Sequence, residues 1–131
     1  MTNYTILVCD DDPEIRRAMR RTLNRYRVID VATPQEAMLA LRVGSFDAVV
    51  TDFDLGSGSD GLELLQTVKL LYPDMVRFLV TGNQDLTVAV RAVNEGAVHR
   101  YLLKPWDDDK VVTLMEIALH GRLVARGAEA S

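Results

Sequence analysis

Five polar residues, spread over most of the chain, lie where they could do chemistry together. Each comes at or just after the end of a short apolar run, and together they are Asp10, Asp11, Asp52, Thr81 and Lys104. If the runs are parallel strands, all five side chains emerge at one rim of one sheet, where open α/β sheets bind their ligands. Three carboxylates, a hydroxyl and an ammonium group at one rim suggest a site for a cation and a phosphoryl group.

The carboxylates favour a hard metal ion. Asp10 and Asp11 follow the first apolar run, and Asp52 ends the third. Two like charges about 5 Å apart cost roughly 3 kcal/mol at an effective dielectric of about 20, so the cluster needs an opposing charge. Oxygen ligands suit a partly hydrated Mg²⁺ held by one or two carboxylates. Its remaining coordination positions could hold phosphoryl oxygens.

The other two side chains suit a phosphoryl group. Lys104 offers a compact positive charge for a phosphate oxygen, and Thr81 offers a hydroxyl donor. Asp52 is central and flanked by both, so it is the best placed nucleophile, since a carboxylate can accept a phosphoryl group as an acyl phosphate. Mg²⁺ and Lys104 would stabilise the charge on the transferring group.

The apolar runs alternate with helical patterns along the chain. Strands are predicted over 4–9, 27–32, 47–51, 75–81 and 100–103. Two helices begin at Asp12-Pro13 and Thr33-Pro34, where a capping residue precedes a proline at the first helical position. Three more helices follow, around 62–72, 86–95 and 111–118. The first helix is predicted to carry apolar side chains at helical spacing at Ile15, Met19, Leu23 and Tyr26.

This alternation predicts an α/β fold. Five βα units with short connections give a mostly parallel sheet with helices on both faces. The expected architecture is a flavodoxin-like, doubly wound (βα)5 three-layer sandwich with strand order 2-1-3-4-5. In that order the first, third and fourth strands are neighbours, as the proposed site requires.

Composition limits the class of protein. The 131 residues predict one domain, with 1–126 as the folded domain and 127–131 as a short flexible tail. A net charge of −4 argues against direct nucleic-acid binding, which needs a clustered basic face. One cysteine fits a reducing compartment, and neither a signal peptide nor a membrane span is evident. We therefore expect a cytoplasmic domain that does not bind membranes.

The motifs together resemble the receiver domain of two-component response regulators, the CheY-like family. The resemblance covers residues 4 to about 122. Its pieces, in chain order, are Ile6 to Asp12, Val49 to Asp52, Asp60 to Leu65, Val80 to Gly82 and Tyr101 to Pro105. Each piece is weakly specific alone, but the ordered set is highly specific.

The resemblance implies a role for each matching residue. Asp52 resembles the phospho-accepting aspartate, and Asp10 and Asp11 resemble the acidic pair that binds Mg²⁺ directly or through water. The backbone carbonyl of Asp54 would complete the metal site. Further roles are implied for Thr81 as the switch hydroxyl, Tyr101 as the switch aromatic, Lys104 as the phosphoryl contact and Lys104–Pro105 as a cis peptide.

The resemblance also implies a function. A sensor histidine kinase or phosphotransfer protein would pass a phosphoryl group to Asp52. The face made by the fourth helix, fifth strand and fifth helix would then change and control an output domain or a downstream protein. The same face could form a phosphorylation-dependent dimer. Such a domain is not an enzyme in the usual sense, because it catalyses only its own phosphorylation and dephosphorylation.

Two alternatives remain open from the residues. Asp52 to Asp60 is one residue longer than the usual spacing, and Gly56-Ser57-Gly58-Ser59 forms a longer loop. A degenerate receiver used only for protein binding would tolerate such a change. Less favoured is a haloacid dehalogenase-type phosphatase, because Asp52-Phe53-Asp54 resembles its nucleophile loop but follows the third strand instead of the first.

Three smaller features carry weaker predictions. The arginines at positions 16, 17, 20 and 21 read as a solvated helix face, or as a contact for an acidic kinase surface. Cys9 is predicted to be a buried strand residue without nucleophilic function. Trp106 is predicted to pack against the last helix, with a partner contact as the alternative.

Overall fold

Five strands and five helices alternate in the computed structural model, which describes residues 3–56, 60–82, 86–95 and 97–130. The strands are β1 (Thr5–Cys9), β2 (Arg27–Val31), β3 (Ala48–Asp52), β4 (Val76–Thr81) and β5 (Arg100–Leu103). The helices are α1 (Pro13–Thr22), α2 (Pro34–Val43), α3 (Gly61–Leu71), α4 (Leu86–Asn94) and α5 (Asp108–Ala130). Residues 57–59 of the predicted Gly/Ser loop lie outside the described residues.

The strands form one parallel sheet in the order β2-β1-β3-β4-β5, which confirms the predicted fold class. Successive residues of β1 point to opposite faces and enter two different cores. Ile6 and Val8 pack with residues of α1 and α5, such as Met19 and Met115. Leu7 and Cys9 pack into the core that α2, α3 and Ala92 of α4 cover. The sheet is therefore the middle of three layers.

The caps of the first two helices agree with the sequence. The side chain of Asp12 accepts a hydrogen bond from the backbone N–H of Glu14, and Pro13 is the first residue of α1. Thr33 does the same for Glu36 at the start of α2. These caps satisfy N–H groups that have no partner inside the helix, and they end the preceding strands on the rim where the site lies.

Two helix boundaries differ from the prediction. The apolar spacing extends α1 to Tyr26, but the helix ends at Thr22 and Leu23 is its C-cap. Tyr26 instead lies beside Tyr4 before β2, with ring centroids 6.3 Å apart. The last helix begins at Asp108 and continues to Ala130, so residues 127–130 of the expected tail are helical. The spacing of apolar residues alone could not show whether a partly buried side chain such as Tyr26 belongs to the helix or to the segment after it.

A buried arginine connects the loops around β4. Arg77 is 5% exposed, and its guanidinium donates to the carbonyls of Ala97 and Met75 at 2.8 Å each and of Pro73 at 3.2 Å. Its backbone N–H donates to Nδ1 of His99. Burial lowers the pKa of Arg77. The side chain thereby joins the segment before β4 to the segment before β5, which fixes the two strands that carry Thr81 and Lys104.

A second arginine, Arg122, connects α5 to the opposite rim of the sheet. Arg122 donates to a side-chain oxygen of Asp47 at 2.6 Å and to its carbonyl at 3.2 Å, and its guanidinium lies 5.9 Å from the ring centroid of Tyr4. Asp47 in turn accepts a hydrogen bond from the backbone N–H of Thr5.

Within the described residues, no helix combines the length and the apolar content that crossing a membrane requires.

Candidate functional site

The parallel register brings the predicted site residues to one rim. Asp10 follows β1, Asp52 ends β3, Thr81 ends β4 and Lys104 follows β5. One carboxylate oxygen from each of Asp10, Asp11 and Asp52 lies within 4.8 Å of the others. Asp10 and Asp52 are buried, at 2% and 7% exposure, whereas Asp11 is exposed. Three acidic groups from two strands thus form one cluster that opens to solvent through Asp11.

Lys104 supplies the positive charge inside this cluster. Its Nζ lies 3.2 Å from a carboxylate oxygen of Asp10 and 3.2 Å from one of Asp52. Its backbone N–H donates to the carbonyl of Thr81 at 2.9 Å, which continues the β4–β5 pairing past the end of β5. The peptide bond to Pro105 is cis, as predicted. The lysine therefore links the acidic pair, the central aspartate and the end of β4.

Burial, and to a smaller extent the crowding of the acids, raises the pKa values of Asp10 and Asp52 more than the lysine lowers them. Burial raises the pKa of Asp52 to about 6, and the neighbouring Asp10 charge adds to that effect, while Lys104 acts in the opposite direction. Burial likewise raises the pKa of Asp10. Burial alone would lower the pKa of Lys104, but Asp52 and Asp10 outweigh it and raise the value. The site therefore holds more negative charge than its own lysine neutralises.

The loop after Asp52 lies against the acidic pair. Gly56 has a φ of 72°, the left-handed region that favours glycine, and a Cβ there would lie 3.4 Å from a carboxylate oxygen of Asp11. Its N–H donates to the side chain of Asp54 at 3.0 Å, so that carboxylate is engaged within its own loop. The backbones of Asp54 and Asp60 also form an isolated antiparallel β-bridge. The role of the Asp54 carbonyl as a metal ligand stays a prediction.

The start of α3 lies directly on the backbone of Asp52. The N–H of Gly61 donates to the carbonyl of Phe53 at 2.7 Å, and a Cβ on Gly61 would lie 1.9 Å from the carbonyl oxygen of Asp52. Asp60 caps the helix by accepting the N–H of Glu63. The Asp60-Gly61 pair therefore starts α3 and lets it approach the end of β3 without a side chain between them.

The two predicted switch residues lie on adjacent strands. Thr81 is 5% exposed at the end of β4, and Gly82, which follows it, is exposed, with room beside its Cα for a side chain. Tyr101 lies on β5 opposite Leu79 and is 40% exposed. The structure thus puts the hydroxyl at the rim and the aromatic ring on the outer edge of the sheet.

One functional candidate was not evident from the sequence. Arg16 is not on a solvated face, because its Nη1 donates to the backbone carbonyl of Asp10 at 2.6 Å and its Nε donates to Asp30 of β2 at 3.0 Å. Arg20 also pairs with Asp30 and donates to the carbonyl of Val28 at 3.0 Å. The sequence feature that could have indicated these contacts is Asp30, a charged residue within an otherwise apolar predicted strand, which suggests a positively charged partner.

The predictions for Trp106 and Cys9 have clear outcomes. Trp106 is partly buried, and its Nε1 donates to the hydroxyl of Thr22 on α1 at 2.9 Å and to Asp108 at 3.2 Å. Its packing thus involves α1 as well as α5. Cys9 is fully buried, as predicted, and burial raises the pKa of its thiol to about 12.

A parallel five-stranded sheet in this order, with acids after β1 and β3 and a lysine after β5, defines a CheY-like receiver domain. The family model of the response regulator receiver domain matches residues 6–116. The chain belongs to the response regulator receiver domain family. Since this family is not a classical enzyme family, the match is evidence against the phosphatase alternative.

Individual relatives agree with this assignment. The hydrogenase transcriptional regulatory protein HoxA of Cupriavidus necator is 31% identical over 119 residues, which are 90% of this chain and 24% of that protein. The signal receiver domain of an HD domain-containing protein from Pseudomonas fluorescens Pf-5 has a TM-score of 0.88 at 29% identity, covering 97% of this chain and 94% of its own. A CheY-like receiver domain protein from Methanospirillum hungatei JF-1 has a TM-score of 0.86 at 25% identity, covering 95% and 99%.

The curated relatives are longer than this chain. It spans only 24% to 29% of the length of the first curated relatives it matches. The similarity therefore concerns only part of each relative and not the activities of the whole regulators.

Proposed function

We propose that this chain is a phospho-accepting receiver that takes a phosphoryl group from a histidine kinase or phosphotransfer protein onto Asp52. The observation that carries the proposal is the arrangement of buried Asp52, which shares Lys104 with Asp10 at 3.2 Å and lies with Asp10 and Asp11 in one oxygen cluster. A purely structural ion pair needs one acid for one lysine. The surplus acids suit a cation, and that cation together with Lys104 would bind the negatively charged oxygens of a phosphoryl group.

Mg²⁺ fits the donors at this rim. The ligands are oxygens, the acids are too crowded for one lysine to neutralise, and exposed Asp11 leaves a side open to water and phosphoryl oxygens. Asp10, Asp11, Asp52 and the carbonyl of Asp54 would hold the ion. When bound, Mg²⁺ would neutralise negative charge on the transferring group.

The chain's own residues would carry out the transfer. A carboxylate oxygen of Asp52 attacks the phosphorus of a phosphohistidine, an O–P bond forms, and the P–N bond breaks with its electron pair left on the imidazole. Lys104 holds an oxygen of the phosphoryl group and stabilises its charge. Hydrolysis would end the phosphorylated state: water attacks the phosphorus, which returns the Asp52 carboxylate and inorganic phosphate.

The phosphoryl group would change the outer edge of the sheet. Thr81, at the end of β4, would donate its hydroxyl to the phosphoryl group, and Tyr101 would leave its exposed position on β5 for the space vacated. The α4-β5-α5 face would thereby shift between two states. Among the side chains that the structure describes on this face, four large apolar ones are exposed and suit a partner or a second copy of the chain: Val90, Tyr101, Leu103 and Ile117.

The kinase contact is proposed beside Lys104. A groove of about 410 Å³ opens there, between α1 and the segment from Lys104 to Asp108. Ile15, Ala18 and Trp106 give it apolar walls, and Arg21 adds a positive charge. A helix that presents a phosphohistidine could fill this groove and bring its imidazole to the acidic rim.

The output is proposed from the relatives. HoxA is named as a transcriptional regulatory protein, and this chain matches 24% of its length. We propose that residues 1–126 form the receiver domain and that it controls an output domain or a separate protein through α4-β5-α5. The domain itself would not contact nucleic acid or membrane.

Intact mass after incubation with acetyl phosphate and Mg²⁺ tests the proposal. Wild type should gain one phosphoryl group, Asp52→Asn should gain none, and a chelator should prevent the gain. If wild type gains none, beryllofluoride with Mg²⁺ provides the second measurement. Unchanged amide NMR signals for α4, β5 and α5 would then favour a degenerate receiver that binds partners without phosphorylation.

A further inference from the structure

Every polar atom of Asp10 has a partner. Its N–H donates to the carbonyl of Val31, one carboxylate oxygen accepts the N–H of Asp12 at 2.9 Å, and the other accepts Lys104 at 3.2 Å. Its backbone carbonyl accepts Arg16 at 2.6 Å, the shortest of these contacts. That carbonyl belongs to the Asp10–Asp11 peptide, so the bond fixes the plane from which the exposed Asp11 side chain projects.

Arg16 is itself held in place. Its Nε donates to Asp30 at 3.0 Å, and the Arg16 and Asp30 side chains are only 19% and 25% exposed. Burial would raise the pKa of Asp30, but the hydrogen bonds and charges of Arg20 and Arg16 outweigh it and lower the value. The planar guanidinium can donate in two directions at once from a fixed geometry, which a lysine cannot. A chain of contacts therefore runs from β2 through α1 to the acidic pair.

We propose that Arg16 is a positioning residue for the cation site, which holds the Asp10–Asp11 peptide so that both carboxylates face the same ion. This inference rests on the proposed function, since it requires that the acidic pair binds Mg²⁺. Arg16 contacts the site through a backbone carbonyl and through no carboxylate of the pair, so it acts by orientation.

The sign of the effect separates orientation from simple charge. Removing a positive charge near three carboxylates raises their affinity for a cation, if electrostatics alone acts. Loss of orientation lowers that affinity, and partners that orient metal ligands typically change it by roughly tenfold or more. Arg20 is the matched control, because it also pairs with Asp30 and bonds a β2 carbonyl, but its contacts do not include Asp10.

The experiment measures Mg²⁺ dissociation constants by amide NMR titration of the whole chain with MgCl2. Arg16→Met should weaken binding by roughly tenfold, and Arg16→Lys should also weaken it, although the charge is kept. Arg20→Met should bind as tightly as wild type or more tightly. Without metal, the amide signals of Asp11 and Asp12 should move in Arg16→Met and stay in place in Arg20→Met.

The outcomes distinguish the inference from the proposed function. Unchanged or tighter Mg²⁺ binding by Arg16→Met overturns the positioning role, and so does equal weakening by Arg20→Met. If Arg16→Met does not fold, wild-type affinity in Arg16→Lys overturns it. If wild type itself does not bind Mg²⁺, the proposed cation site fails and the positioning role fails with it.

Discussion

The backbone of α3 begins so close to Asp52 that residue 61 has no room for a side chain. A Cβ on Gly61 would lie 1.9 Å from the carbonyl oxygen of Asp52, whereas a Cβ on Gly82 would have open space. Gly61→Ala should therefore push α3 or the end of β3 aside and cost about 1–3 kcal/mol in the free energy of unfolding. It should also slow phosphorylation by acetyl phosphate.

Urea unfolding and phosphorylation rates check this prediction, with Gly82→Ala as the matched control on the same rim. Gly82→Ala should change the stability by much less, because its methyl group meets no atom within 4 Å. Equal stability and equal rates for the two alanine variants would show that the close approach of α3 is unimportant.

The raised pKa of Asp52 predicts how stability depends on pH. The folded-state pKa of about 6 exceeds the ordinary value of 3.8, so the folded protein binds this proton more tightly than the unfolded chain does. Below about pH 4 the Asp52 carboxyl group is protonated in both states and costs no stability. As the pH rises through 6 the group ionises in the folded protein, and the cost in the free energy of unfolding grows to about 2–3 kcal/mol. Asp52→Asn removes this cost.

In a chelating buffer, Asp52→Asn should therefore be more stable than wild type at pH 8, and the difference should shrink towards pH 4.5. Chemical denaturation across this range is the measurement. Asp54→Asn, which changes an exposed carboxylate of the same loop, should show little difference at either pH. A stability gain in Asp52→Asn that is equal at both pH values would contradict the explanation that the buried, ionised carboxylate costs stability.

At the scale of elements, Arg77 is the contact that joins the loops before β4 and β5. Removing its guanidinium leaves the carbonyls of Ala97, Met75 and Pro73 without this donor. Since unsatisfied buried polar groups cost roughly 1–3 kcal/mol each, Arg77→Met should lower the free energy of unfolding by at least about 2 kcal/mol.

Thermal and urea unfolding measure this effect, with exposed Arg91→Met of α4 as the control for lost charge. The control should change stability by less than about 0.5 kcal/mol. Hydrogen exchange should accelerate in the segment 97–103 of Arg77→Met before it accelerates in β1. A loss of stability in Arg91→Met as large as in Arg77→Met would count against the loop-joining role.

The elements that sequence could predict are those set by local signals. The capping residues Asp12 and Thr33 mark helix starts, and the apolar runs mark strands whose ends carry the acids. Since parallel strands align their carboxyl ends, the grouping of the site residues followed from topology. The strand order and the acidic cluster were therefore within reach of the sequence.

Features that depend on distant partners were not within reach. The hydrogen bond from Arg16 to the carbonyl of Asp10 depends on how α1 packs. The hydrogen bonds from Arg77 of β4 to the surrounding carbonyls could likewise not be predicted from the sequence. The end of α1 at Thr22 and the length of α5 also escaped the apolar spacing. Each is decided by tertiary contacts, which periodicity does not encode.

At the scale of the whole molecule, the exposed apolar side chains on α4, β5 and α5 predict association in the phosphorylated state. Leu103 is 41% exposed on β5 and Ile117 is 57% exposed on α5. Leu103→Asp should remove association that beryllofluoride induces, because a charge would be buried in the interface. Leu70→Asp, at an 82% exposed position on α3, should leave it unchanged.

Sedimentation velocity with and without beryllofluoride and Mg²⁺ measures this association. A wild type that stays monomeric at all concentrations tested would argue that the face binds another protein instead of a second copy. If Leu70→Asp blocks association and Leu103→Asp does not, the contact lies on a different face of the sheet.

The buried position of Cys9 has a practical consequence for testing the proposed switch. It is the chain's one cysteine, it is fully covered within the sheet, and its thiol is protonated at neutral pH, since its pKa is about 12. Maleimides and nitroxide reagents attack accessible thiolates, so the native protein should stay unlabelled. A cysteine introduced at the surface of α4 or α5 would then carry a fluorophore or spin label without background, and paired labels would test directly whether the distance between these helices changes on phosphorylation.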